Sequence, residues 1–207
     1  MKKKYVIPLL VLCVCLFGTF YIAVRGSKGE QMGPAASNEP LPLAEYRGEK
    51  IYQADVESHI KMSQLLGGGA ADPQTMQEAL TEILQNKVLL HEAERLGYTA
   101  TQAEIDAMVE NGRRTYSIPE GKEMIEQYCK GANLRVDEYF VYLEEQAPRV
   151  IARQKLLDAI GQEFCEKNGL EFTKINPPEE LIEAREAYIA ELFAKAEEDI
   201  IYYGDAK

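Results

Sequence analysis

The chain has 207 residues, 28% of them charged, and a formal net charge of −11, with four cysteines and two histidines. That length allows one folded domain plus extra segments. An acidic chain with no basic patch speaks against a nucleic-acid partner, which is held by clustered Lys and Arg.

The charge is unevenly placed. Residues 1–28 carry Lys2, Lys3, Lys4, Arg25 and Lys28 and no acid, so they hold +5 and leave −16 on the remainder. Between the lysines and Arg25, residues 5–24 are uncharged, about the length needed to cross the hydrocarbon core. We read residues 1–4 as a cytoplasmic tail and 5–24 as a transmembrane signal anchor. The three lysines outweigh Arg25 and Lys28, which keeps the N-terminus inside and places the rest outside. A cleaved signal peptide is the competing reading; Ala23 would serve at −1, but the bulky Tyr21 falls at −3. Cys13 and Cys15 lie in this span as small apolar filler. Residues 25–43 are rich in Gly, Pro and Ser without periodicity, a flexible tether.

The folded part is expected over residues 44–203. Alternation from Glu45 to Tyr52 around Gly48-Glu49 predicts two very short strands and a tight turn. A helix follows from about Ala54 to the hinge-like Gly67-Gly68-Gly69. Asp72-Pro73 is a strong helix start. The helix from Met76 carries Met76, Ala79, Leu80, Ile83, Leu84 and Val88 on one face, and Leu89, Ala93 and Leu96 on a second. A helix apolar on two sides is touched from two sides and should be central. Gly97 closes it, and Thr101 with Glu104 opens the next helix as a capping box, running to about Tyr116. Ser117 and Pro119 start another, which Gly131 is expected to end. A long helix runs from about Arg135 to Gly169, with Val136, Phe140, Leu143, Ala147, Val150, Leu157 and Phe164 near heptad spacing and a kink expected at Pro148. Cys129 lies just before that helix and Cys165 near its far end, tens of ångströms apart at about 1.5 Å per residue, which predicts two free thiols. Asn176-Pro177 should cap a last helix over about 178–203, with Ile182, Ile189, Phe193, Ala196, Ile200 and Tyr203 in one stripe. The expected class is mainly α with a short N-terminal hairpin.

The stretch ALTEILQNKVLLHEAERLGYTATQAEIDAMV resembles the N-terminal chaperone module of SurA, PrsA and related parvulin-type foldases. It shares with them a Leu–Ile pair, a Leu–Leu pair, a Leu–Gly break and a Thr-led helix with Glu–Ile. YRGEKIYQADVE and GANLRVDEYFVYLEEQAPRVIARQKLL fit the flanking segments of that module, so the resemblance runs from about Ala44 to Gly169. It implies a SurA-N-like helical domain that binds unfolded polypeptide. It also implies that a C-terminal segment, here 179–203, returns to pack on the module. The strand-rich isomerase domain of those relatives, with its histidine pair, has no counterpart after Gly169.

Chemistry is otherwise sparse. No Gly-x-Ser-x-Gly, Walker or dinucleotide loop is present, so no cofactor is expected. His91 falls on the apolar face of the central helix one turn after Lys87, which reads as a neutral imidazole and a snorkelling lysine rather than an acid–base pair or a metal site; His59 lies in the helix before. Neighbouring carboxylates such as Glu144-Glu145, Glu179-Glu180 and Glu197-Glu198 point about 100° apart and are solvated faces. Tyr116, Tyr128, Tyr139 and Tyr142 are the candidate peptide-binding residues, against the alternative of ordinary half-buried tyrosines. The expected function is a membrane-tethered, extracytoplasmic, non-catalytic chaperone for unfolded or newly translocated polypeptides. The alternatives are a scaffold for one dedicated envelope partner and a degenerate prolyl isomerase.

The topology is testable directly. Protease added to intact protoplasts should degrade the domain while the mature N-terminus remains Met1 or Lys2; an N-terminus at Val24 or later would identify a secreted protein instead.

Overall fold

The computed structural model describes residues 41–66 and 75–204. The cytoplasmic tail, the transmembrane span, most of the tether, the Gly67-Gly68-Gly69 hinge and the Asp72-Pro73 start lie outside the described residues. Among the described residues no helix is long and apolar enough to cross a membrane.

Strands β1 (Ala44–Tyr46) and β2 (Glu49–Ile51) pair antiparallel, with Ala44 opposite Ile51 and Tyr46 opposite Glu49. The turn between them is Arg47-Gly48, with φ of 49° and 84°. Positive φ at both central residues matches the twist of the strands, so the turn sits one residue earlier than the Gly48-Glu49 expected. Then come α1 (Gln53–Leu66), α2 (Met76–Arg95), α3 (Gln102–Tyr116), α4 (Pro119–Ala132), α5 (Val136–Asn168) and α6 (Glu179–Ala196), a 3-10 turn (Glu197–Asp199) and β3 (Ile200–Tyr202). The described residues are therefore mainly helical, with six α-helices and one small sheet of order β2-β1-β3.

Local chemistry sets most of the boundaries. Thr75 caps α2, its hydroxyl accepting from the Glu78 N–H while the Glu78 side chain takes the Thr75 N–H at 2.8 Å. This capping box begins the described helix. At its other end Gly97 has φ 81°, and Tyr98 N–H donates back to the Ala93 carbonyl at 2.9 Å. Thr101 and Glu104 form the expected capping box at α3. Helix α4 starts at Pro119 but runs through Gly131; the left-handed residue is Asn133 (φ 55°), asparagine being the other residue that tolerates that conformation. Helix α5 is continuous across Pro148.

The end of the chain departs most from expectation. Helix α6 begins at Glu179 with no side-chain cap and stops at Ala196; Asn176, at φ 52°, is a left-handed loop residue rather than a cap. Residues 200–202 are then a strand antiparallel to β1, with Ala44 opposite Tyr202 and Tyr46 opposite Ile200. The inward stripe of α6 starts one residue earlier than expected. Leu181 is fully buried, and Ile182 is 43% exposed.

Helix α2 is the centre of the packing, touching β1, α1, α5 and α6. Its Ala79, Leu80, Ile83, Leu84 and Val88 enter one core with Ala44, Tyr46, Ile51, Val56, Ala196 and Ile200. Its Leu89 and Ala93 enter another with Ala152 and Leu156 of α5. The outermost members of the two expected stripes, Met76 and Leu96, are exposed. A third cluster joins α4 to the first half of α5 through Ile125, Tyr128, Cys129, Tyr139, Phe140 and Leu143.

Helix α6 is clamped to α5 by polar contacts as well. Buried Asp158 takes Lys174 Nζ at 2.5 Å, Gln154 Nε2 at 2.7 Å and Arg185 Nη2 at 3.4 Å, and a carboxylate can be buried only when it is paired in this way. Gly161 lets the two helices approach, since a Cβ there would lie 2.9 Å from Phe172 and from Arg185. On the other side of α5, Lys155 bonds Glu104 and the Thr99 carbonyl. With the Thr101 cap this draws the Glu104 carboxyl down to about 2.

The register of α6 yields a stability test. Leu181→Ala should destabilise the protein by about 2–5 kcal/mol, the usual cost of a leucine-sized cavity. Ile182→Ala should stay within about 0.5 kcal/mol, as surface changes do. Thermal or denaturant unfolding of the two variants decides it.

Candidate functional site

The four candidate tyrosines are placed by α3, α4 and α5. Tyr128 and Tyr139 are 4% and 2% exposed and meet edge-to-face at 5.5 Å inside the third core cluster. Tyr142, 5% exposed, is also interior. Tyr116 stacks edge-on against Phe140 at 6.0 Å, and its hydroxyl donates to Glu126 at 3.1 Å. Three of the four therefore fill the core, and only Tyr116 is half-exposed. For Tyr128 and Tyr139 the reason is the α4–α5 pairing, which turns both positions inward. Cys129 and Cys165 are buried free thiols; burial, with Glu126 nearby, pushes the Cys129 thiol up.

The feature that sequence reasoning missed is a cleft of about 450 Å³ where the hairpin, α2 and α6 converge. Its apolar floor is Tyr46, Val88, Leu192 and Ala196. Helix α2 adds His91, Glu92 and Arg95, helix α6 adds Tyr188, Glu191 and Lys195, and Arg47 and Asp199 stand at one end. These side chains come from the two ends of the described chain and its middle, so no local motif could announce them.

Opposite charges are paired within each wall. Arg95 holds Glu92 with both Nε (2.6 Å) and Nη2 (2.7 Å), a bidentate pair that keeps the Glu92 carboxyl low despite partial burial. Lys195 bonds Glu191 at 2.7 Å, which lowers that carboxyl and raises the ammonium. Arg47 reaches Asp199 at 3.3 Å and His91 Nε2 at 2.7 Å, and its guanidinium lies 5.7 Å from the Tyr46 ring centre. A guanidinium can only donate, so Nε2 of His91 is the acceptor in this contact. Burial, with Glu92 beside it, raises the Tyr188 phenol. Just behind the cleft, Lys87 pairs with Glu49. Burial works to raise the Glu49 carboxyl, but Lys87, Arg149 and His91 together bring it below the usual range.

His59, the other histidine, is 4% exposed and meets Glu82 at 2.6 Å between α1 and α2. Among the described residues no group of three or more His, Cys, Asp or Glu is placed to hold a metal ion. The cleft offers an apolar strip flanked by fixed charges of both signs, an arrangement suited to holding a ligand.

Compared with known proteins, the chain matches no family model, no curated protein and no solved structure.

The tyrosines give a prediction of their own. Tyr139→Ala should cost about 3–5 kcal/mol of stability, the usual range for an aromatic removed from a core, whereas Tyr116→Ala should cost far less. Chemical unfolding curves would show whether the pair separates in this way.

Proposed function

We propose that this chain is a membrane-tethered, extracytoplasmic, chaperone-like protein that holds unfolded or newly translocated polypeptides and catalyses nothing on them. The observation that carries this reading is the cleft between the hairpin, α2 and α6. Its floor is apolar and its walls carry paired charges of both signs, which accommodates side chains of many kinds without demanding one sequence. The uncharged span at residues 5–24 supports the tether. The order of hairpin, central helix, Thr-capped helix and long helix supports a SurA-N-like module over residues 44–203, closed by its own C-terminal segment. Client binding is then assigned to the cleft rather than to the tyrosines of the α4–α5 core.

A second reading, a scaffold for one envelope partner, is favoured by one feature. Leu170, Ile175 and Ile182, all exposed, fall on the connection from α5 to α6 and the first turn of α6. A dedicated partner would cover exposed apolar residues of this kind.

Full-length protein in detergent micelles should delay the aggregation of a chemically denatured client. Lys195→Glu and Arg95→Glu together, both at exposed wall positions, should weaken that effect several-fold while the melting temperature stays close to wild type. Retention of a single native envelope protein, with no effect on denatured clients, would favour the scaffold. Acceleration of proline-limited refolding at sub-stoichiometric amounts would reveal an isomerase.

A further inference from the structure

We propose that the cleft is gated by pH through the contact between Arg47 and His91, which holds the Arg47 side chain across the end of the cleft when His91 is neutral and frees that side chain when His91 is protonated. The proposal rests on reading the cleft as the binding site, and it names how that site is regulated.

Arg47 is an unusual residue for its position. It occupies the first turn position of the hairpin at φ 49°, a conformation that non-glycine residues adopt uncommonly and that asparagine or glycine takes at less cost. From there its guanidinium crosses the end of the cleft to His91 Nε2 at 2.7 Å, with Asp199 at 3.3 Å on the other side. The contact to His91 exists only while Nε2 carries a lone pair. Protonation puts a hydrogen on that nitrogen and a positive charge against the guanidinium, so an attractive contact becomes a repulsive one.

Histidine is the side chain whose charge ordinarily changes between about pH 5 and 8, and an extracytoplasmic site shares the pH of its surroundings. Charges of both signs stand at this end of the cleft: Lys87, Glu92 and Arg95 on α2, Glu49 on β2 and Arg47 itself. The field of His91 is among the influences that lower the Glu49 and Glu92 carboxyls. On α6, Glu191 and Lys195 are bound to each other, and the Tyr188 phenol, raised above its usual range, stays neutral throughout. Asp199, already paired with Arg47 at 3.3 Å, is the partner that remains when His91 lets go. Below the transition the hairpin keeps its strand pairing and its Glu49–Lys87 tie to α2, and only the Arg47 guanidinium leaves His91, which widens one end of the cleft.

Two histidines in the chain make the test tractable. Full-length protein in detergent micelles, labelled in histidine rings and glycine amides, is titrated by NMR between about pH 8 and 5. The ring resonance absent from His91→Gln belongs to His91. The expected result is that the Gly48 amide shifts with the same midpoint as that ring, and that the shift is lost in His91→Gln. Arg47→Gln, at an exposed turn position, provides a second variant: His91 should still titrate while the Gly48 amide no longer follows it. A Gly48 amide that stays still while His91 titrates, or that moves equally in both variants, overturns the gate. Binding of a denatured client across the same range is measured separately. If the client never binds but Gly48 follows His91, the chaperone reading fails and the gate stands. If the client binds equally at every pH and Gly48 is unmoved, the gate fails and the chaperone reading stands.

Discussion

Everything described here depends on burying both sides of α2. A helix with one apolar stripe can lie on a surface, but one with two must be enclosed. Leu80 and Leu84 face the sheet side, and Leu89 and Ala93 face α5. Each large side chain removed from water contributes roughly 1.5–3 kcal/mol, so leaving either stripe exposed would forfeit much of a domain's usual net stability of about 5–15 kcal/mol. Enclosure recruits partners from distant segments of the chain: the hairpin before it, α5 after it, and α6 with β3 from the far end. The cleft is the space those partners leave at the corner where the hairpin, α2 and α6 meet without filling it.

The features of this architecture that were legible from sequence are those decided within a few residues. Thr101 with Glu104, Gly97 after the Leu96 break, and Pro119 at a helix start each act locally, and the structure places them as read. The errors arise where other contacts decide. Gly131 looks like a helix terminator, yet the chain continues two residues to Asn133, which bends back so that Leu134 N–H reaches the Cys129 carbonyl. Residues Ile200 and Tyr203 continue the heptad-like spacing of α6, but β1 offers Ile200, Ile201 and Tyr202 a strand partner. Three residues are too few to display a period of two. Along α6 the expected Ile189, Phe193 and Ala196 do pack inward, and only the first member of the stripe fails, Leu181 being buried in place of Ile182.

The site was less legible than the fold for a related reason. Of the four tyrosines, Tyr116, Tyr128 and Tyr139 do gather around Phe140 in one cluster, but spacing along helices cannot say whether a group faces solvent or another helix. His91 drew attention for its place on an apolar face, yet its partner Arg47 lies 44 positions away. That pairing needs a turn in which an arginine accepts a left-handed backbone, a choice invisible until the turn register is known. Positions held in sparsely populated conformations tend to lie where function requires them, and the hairpin tip at the mouth of the cleft fits that pattern.

The sheet has one further consequence, mechanical rather than chemical. Because β3 pairs with β1, the start and end of the described domain lie side by side: Tyr203 N–H donates to the Leu43 carbonyl at 2.9 Å, and Ala44 sits opposite Tyr202. Adjacent termini make a chain tolerant of being reconnected and reopened elsewhere, so a circular permutant joined across this point should keep its helices in register. They also mean that a pull between the two ends of the described domain meets the β1–β3 ladder end-on. The rungs would open in succession like a zipper, starting at Leu43 and Tyr203, before load reached α2.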